Sequence, residues 1–310
     1  MTYQVLGFHL AYSKSGLETI KEHHRVLNQI IPTWLEVKAN GDLKINKSNK
    51  LIEAFIDKDM IIPMVQNADL DSSISNDLIS NQGAVDLFIK NILSYIEEEN
   101  FNEICIDIEG INYKNKNLFS SFIKKVADFL HQHGFSLSVV VPAKLENNQD
   151  STWSGAYEYS SLAEAVDRII IMAYDFHWPG GSPGPIAPLS WVQDVVDYAI
   201  MEIPLEKIFL GLGLYGYDWT IKREQRARGL VYEQIRNIVE KYNITTEWDQ
   251  DSQSPYFRYI INDEEHEVWF ENKESIAKKL KLISEFQLKG VVFWRLGQED
   301  SDLWKVLRNI

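Results

Sequence analysis

From residue 104 to residue 109 the chain alternates strictly. Ile104, Ile106 and Ile108 fall to one side, and Cys105, Asp107 and Glu109 to the other. A period of two is that of a β-strand. One face is β-branched and apolar, as a strand covered by helices requires. The other sets two carboxylates in line, ~7 Å apart at their Cα atoms for a two-residue step, just before Gly110 ends the run. Further apolar, strand-like runs occur at 5–8, 34–37, 60–65, 135–141, 168–174, 208–214 and 290–294. Helical spacing predicts helices over 17–30, closed by Pro32, and over 51–56, 84–98, 191–200, 275–286 and 303–307. Another runs through Phe119, Phe122, Ile123, Val126 and Phe129 to a cap at Gly134.

Eight strands with helices between most of them predict an α/β fold, a (β/α)8 TIM barrel. An open doubly wound sheet is the alternative, but no Gly-x-Gly-x-x-Gly turn follows the first strand. Residues 215–270 break the rhythm with mixed, polar, aromatic-rich sequence. They read as a small α+β insertion between strand 7 and helix 7. With no linker or repeat array, residues 1–310 read as one domain containing that insertion.

Composition narrows the partners. A formal charge of −14 argues against a nucleic-acid surface, which needs clustered Lys and Arg. Nine Trp and fourteen Tyr suit sugar rings as well as cores. The single cysteine, Cys105, excludes an intrachain disulfide and reads as a buried small hydrophobe. No signal peptide is visible and no apolar run approaches the ~20 residues of a membrane span. The expectation is a monomer without membrane contact, cytoplasmic as written.

In a barrel of this kind the active site lies at the C-terminal ends of the strands. Those ends carry Phe8-His9, Gln66-Asn67, Asp107 and Glu109, Tyr174-Asp175, Tyr215 and Trp294. No three-ligand metal set, phosphate loop or nucleophile elbow is among them, so neither metal nor cofactor is expected. Carboxylates beside aromatics suggest glycoside hydrolysis. Trp219, Trp248 and Trp269 either pack the insertion or line a groove, and Arg295 is expected to point away from the axis into a salt bridge.

The motifs resemble glycoside hydrolase family 18, the chitinase-like barrels. Asn102-x-x-Cys105-x-Asp107-x-Glu109 is similar to the family's Asp-x-x-Asp-x-Asp-x-Glu strand. Met172-Ala173-Tyr174-Asp175 resembles its Met-x-Tyr-Asp, and Gly211-x-Gly213-Leu214-Tyr215 its seventh strand, with Trp294 at the end of the eighth. The resemblance implies retaining, substrate-assisted cleavage of β-1,4-linked N-acetylglucosamine glycans, with Glu109 as general acid and base and Asp107 orienting the substrate acetamide. It implies that Tyr174 and Asp175 bond the acetamido group and that Trp294 floors the ring; Met172, Gln66, Asn67, Tyr215 and Phe8, at or near the same strand ends, are the further candidate sugar contacts. A catalytically silent glycan-binding barrel is the alternative. Asn102 and Cys105 replace the first two signature acids, and Gln66-Asn67 stands where Ser-x-Gly-Gly is usual. That ending, with Ser254-Pro255-Tyr256-Phe257, resembles the spore cortex-lytic branch of the family, without its LysM repeats, and the resemblance adds spore association or release on lysis to the expected locations.

Overall fold

A computed structural model describes residues 3–46, 56–221 and 226–308. The strands are β1 (Gln4–Leu10), β2 (Gln29–Thr33), β3 (Leu35–Val37), β4 (Leu43–Ile45), β5 (Met64–Asn67), β6 (Glu103–Asp107), β7 (Ser136–Pro142), β8 (Arg168–Met172), β9 (Ile208–Gly213), β10 (Tyr215–Thr220), β11 (Arg228–Val231), β12 (Glu247–Asp249), β13 (Ser254–Ile261), β14 (Glu264–Phe270) and β15 (Gly290–Trp294). Ten form one sheet, in the order β2-β1-β15-β9-β8-β7-β6-β5-β3-β4. Its pairings are parallel except for the β3–β4 hairpin. The sheet curls until β2 meets the residues leading into β5, where the Ile62 N–H donates to the Ile30 carbonyl at 2.9 Å.

Strands buried on both faces explain the near-continuous apolar runs. Inside the curl one apolar cluster draws side chains from β1, β2, β6, β7, β8, β9, β15 and the start of β5, among them Phe8, Met64, Cys105 and Phe209. A larger cluster lies between the strands and the helices outside. Helix Lys116–Gln132 shows how that layer forms. Phe119, Phe122, Ile123, Val126 and Leu130 recur at helical intervals and are all buried. Each such side chain contributes roughly 1.5–3 kcal/mol.

The structure corrects the start of the chain. The first helix runs only over Lys14–His23; residues 24–28, expected to continue it, form a turn, and Gln29 and Ile30 begin β2. Pro32 therefore lies within a strand instead of closing a helix. A proline lacks the N–H of a central ladder position. β2 tolerates one because its second neighbour is a single bridge at Ile30. The expected strand at 34–37 becomes β3, a short neighbour of β5 outside the curl. Helices Ser72–Ser80 and Tyr159–Ala165 were not expected. The helix expected over 51–56 lies almost wholly outside the described residues.

Between β9 and helix Lys273–Glu285 the chain forms a second sheet, antiparallel, in the order β11-β10-β14-β13-β12. Helix Tyr232–Tyr242 packs on it through Ile235. Asp218 is buried at its centre and accepts hydrogen bonds from Tyr259 Oη (2.8 Å) and His266 Nδ1 (2.8 Å), with the Arg228 guanidinium at 3.0 Å. Glu271 and Lys279, both buried, join this sheet to the following helix. Lys279 Nζ lies 2.8 and 2.7 Å from the two carboxylate oxygens, and Ser275 Oγ donates to one of them at 2.5 Å.

Candidate active site

Gln66 on β5 is in register with Asp107 on β6, and both side chains follow inner-face residues, Met64 and Cys105, by two positions. On β8 and β9 Met172 is in register with Gly211, and on β15 Trp294 is in register with Gly213. Both positions need glycine: a Cβ on Gly213 would come within 2.8 Å of the Tyr215 ring and one on Gly211 within 2.6 Å of the Ile171 carbonyl oxygen, while Tyr174 lies 3.4 Å from each, an ordinary contact. Met172 and Trp294 pack against the inner apolar cluster, and Trp294 meets Phe8 edge to face at 5.2 Å between centroids.

Asp107 is the deepest acid of the site, at 6% exposure, and its Oδ1 is buried without a hydrogen-bond partner. Burial first, and then the charge of Glu109, push its carboxyl well above the ordinary carboxylate range. Glu109 is partly exposed, and its carboxyl is raised by burial and next by the charge of Asp175. So close together, the two carboxyls do not both ionise readily, and the pair keeps a proton at pH values where free carboxyls have lost theirs.

Asp175 sits just past β8 with φ +60°, the left-handed region uncommon for residues with a side chain. It is solvent-exposed, yet neighbouring protein desolvates its carboxyl enough to raise it, against the opposing donors. Those donors are Tyr215 Oη at 2.5 Å and Tyr217 Oη at 2.8 Å, both to Oδ1. Tyr174 is raised well above its ordinary value by burial and then by the charges of Asp107 and Glu109. The arrangement is a cluster of acids and phenols around one open end of the curled sheet, with a tryptophan face beside it.

Two expected sugar contacts are placed elsewhere. Phe8 is closed off at 1% exposure beneath Trp294, so it supports that ring. Asn67 is fully buried, and its amide is used by protein: Oδ1 accepts the Glu109 N–H at 2.9 Å and Nδ2 donates to the Asp71 carbonyl at 3.0 Å. Gln66, Met172 and Trp294 remain partly accessible. Tyr215 is buried and reaches the site through Asp175. Trp219 and Trp269 pack under the second sheet with Tyr215 and Ile186. Trp248 is half-buried on β12. Arg295 has no acidic partner among the described residues; it is half-buried beside His9, whose ring burial first and then the Arg295 charge hold down at about 4. Sequence reasoning missed Tyr217, although it shares a strand face with Tyr215 at a two-residue step. Tyr157, whose hydroxyl donates to the Ile108 carbonyl at 2.8 Å, was also missed. Among the described residues no three His, Cys, Asp or Glu side chains are grouped to hold a metal ion. No described helix is long and apolar enough to cross a membrane.

The sequence model of the glycosyl hydrolases family 18 matches residues 27–299. The chain belongs to that family. Among family relatives, the cortical fragment-lytic enzyme of Bacillus subtilis is 31% identical over 252 residues, covering 80% of this chain and 58% of the relative. The Bacillus anthracis enzyme of the same name is 28% identical over 316 residues, covering 96% and 73%. Against two B. subtilis relatives at 31% identity, this chain spans little more than half their length, 58% and 54%. Among solved structures, the spore cortex-lytic enzyme SleL of Bacillus megaterium superposes with a TM-score of 0.90 at 27% identity, covering 99% of this chain and 73% of that one. A chitinase from Chromobacterium violaceum superposes with a TM-score of 0.89 at 26% identity, covering 99% and 98%. The α/β fold described above is thus that of family 18 chitinases and cortex-lytic enzymes.

Proposed function

We propose that the protein is a retaining, substrate-assisted hydrolase of β-1,4-linked N-acetylglucosamine in peptidoglycan, spore cortex included, or in chitin-like chains. In this reading the curled sheet is a (β/α)8 barrel, residues 1–310 are one catalytic domain, and residues 215–270 are an insertion walling one side of the groove. Glu109 protonates the glycosidic oxygen as the C1–O bond breaks. The substrate's own acetamide oxygen forms the new bond to C1, so no enzyme nucleophile is needed. Asp107 accepts the acetamide N–H and stabilises the positive charge that grows there. Water then attacks C1, gives its proton to Glu109, and restores both the acetamide and the acid. Tyr174 and Asp175 bond the acetamido group, Gln66 and Met172 border the sugar, and Trp294 lies under the ring.

The observation that carries this reading is the buried, unpaired Oδ1 of Asp107, two residues from Glu109. A buried acceptor without a donor is costly and is retained where a ligand supplies the donor. An acetamide N–H fits it. The test is Glu109→Gln, assayed on N-acetylglucosamine oligomers and on cortex fragments. Loss of cleavage with binding retained supports the reading. A wild-type protein that binds these glycans and cleaves none of them overturns it in favour of a silent glycan-binding barrel.

A further inference from the structure

Strand pairing on β6 stops at Asp107, its last partner being Gln66 on one side, while Ile106 with Val139 is the last pair on the other. Glu109 therefore lies beyond the ladder, in a segment whose backbone has no strand to bond. Four side chains take over. Asn67 Oδ1 accepts the Glu109 N–H at 2.9 Å, and Ser75 Oγ donates to the Glu109 carbonyl at 2.6 Å. The Tyr157 hydroxyl donates to the Ile108 carbonyl at 2.8 Å, and Asn76 Nδ2 donates to the Gly110 carbonyl at 3.0 Å. Asn67, Ser75 and Tyr157 are all closed to solvent, so none of them can touch a glycan.

Ser75 and Asn76 come from helix Ser72–Ser80, which is itself fixed at its start. Asp71 caps it by accepting the Ser73 N–H at 2.8 Å, and Asn67 Nδ2 bonds the Asp71 carbonyl at 3.0 Å. Asn67 thus bonds both the acid's backbone and the helix that grips the acid's other side. The helix sits so close that a Cβ on Gly110, at φ +71°, would come within 2.7 Å of Ser72 Cβ.

We propose that Asn67, Ser75 and Tyr157 are positioning residues that hold the peptide groups flanking Glu109 and so fix where its carboxyl delivers a proton. This rests on Glu109 being the general acid. A carboxyl displaced by about 1 Å loses on the order of 10²-fold in rate. The loss falls on both proton transfers of Glu109, and kcat/KM isolates the first of them, departure of the leaving group.

The test compares two leaving groups. An N-acetylglucosamine oligomer must have its departing sugar protonated, whereas a 4-methylumbelliferyl glycoside releases a weakly basic phenolate without help. Asn67→Ala, Ser75→Ala and Tyr157→Phe are each assayed on both, beside Glu109→Gln. The expected result is a loss in kcat/KM of roughly 10- to 100-fold on the oligomer and a much smaller loss in kcat/KM on the aryl glycoside, whose leaving group departs without the acid's proton. The ratio of the two losses is independent of how much of each variant is folded. Equal losses on both substrates in all three variants, with a clear split in Glu109→Gln, overturn the positioning role and leave the acid assignment standing. Undiminished oligomer cleavage by Glu109→Gln overturns the acid assignment itself.

Discussion

The Tyr215 hydroxyl donates to the Asp175 carboxylate at 2.5 Å, tying the first strand of the second sheet to the end of β8. Tyr217 donates to the same oxygen from one turn of the pleat further on. Two phenols therefore hold a left-handed aspartate in place beside Glu109. Hydrogen bonds to a charged group contribute about 1.5–3 kcal/mol each. Tyr217→Phe, which leaves the ring in place, should lower kcat/KM on N-acetylglucosamine oligomers roughly tenfold or more. Tyr215→Phe should do at least as much. Steady-state kinetics with each single variant checks this, and an unchanged kcat/KM would remove Asp175 from the reaction.

The charge of Asp175 helps keep Glu109 protonated. Replacing it with the neutral amide in Asp175→Asn removes that contribution, so Glu109 gives up its proton at lower pH. The high-pH limb of kcat/KM should therefore move to lower pH relative to wild type. A limb that stays in place, or moves upward, would mean that another group sets it.

Asp107 is raised in the folded protein above its ordinary 3.8, chiefly by burial. At neutral pH the unfolded chain carries this carboxylate in water at no cost, while the folded protein must either bury the charge or retain a proton. Stability then rises as pH falls through the folded value, and the deficit is gone below the ordinary value. Asp107→Asn, which cannot ionise, should raise the unfolding temperature at pH 7, with the advantage shrinking toward pH 4. Thermal unfolding of both proteins across that range is the check.

Lys279 and Glu271 form an ion pair at 1% exposure on each side. Removing one partner leaves a buried charge uncompensated, a loss of about 3–5 kcal/mol. Lys279→Met should therefore lower the unfolding temperature sharply. The double variant Lys279→Met with Glu271→Leu should recover much of the loss, since no lone charge remains.

What could be read from the sequence follows the physics of each element. Strands such as β6 and β8 are buried on both faces, so their apolar runs and inward acids are visible locally. β2 was obscured by Pro32, whose usual meaning as a helix stop is reversed at a strand with one weak neighbour. The second sheet depends on partners distant in the chain, such as Asp218 with His266, and polar antiparallel strands carry little periodic signal of their own. Helix Ser72–Ser80 holds four Ser, and Ser75 and Asn76 bond the backbone of 109–112; so polar a pattern looks like a loop. The acids of the site were visible as types and spacings. That Asn67 holds Glu109 by its backbone could not be, because the bond depends on where β5 ends relative to β6.

The most direct test of the account follows the first product by proton NMR as wild-type protein cleaves an N-acetylglucosamine oligomer. Attack by the substrate's own acetamide followed by water inverts C1 twice, so new reducing ends should appear as the β anomer and only later mutarotate. New ends appearing first as the α anomer would contradict substrate assistance, and no new ends at all would contradict the enzyme.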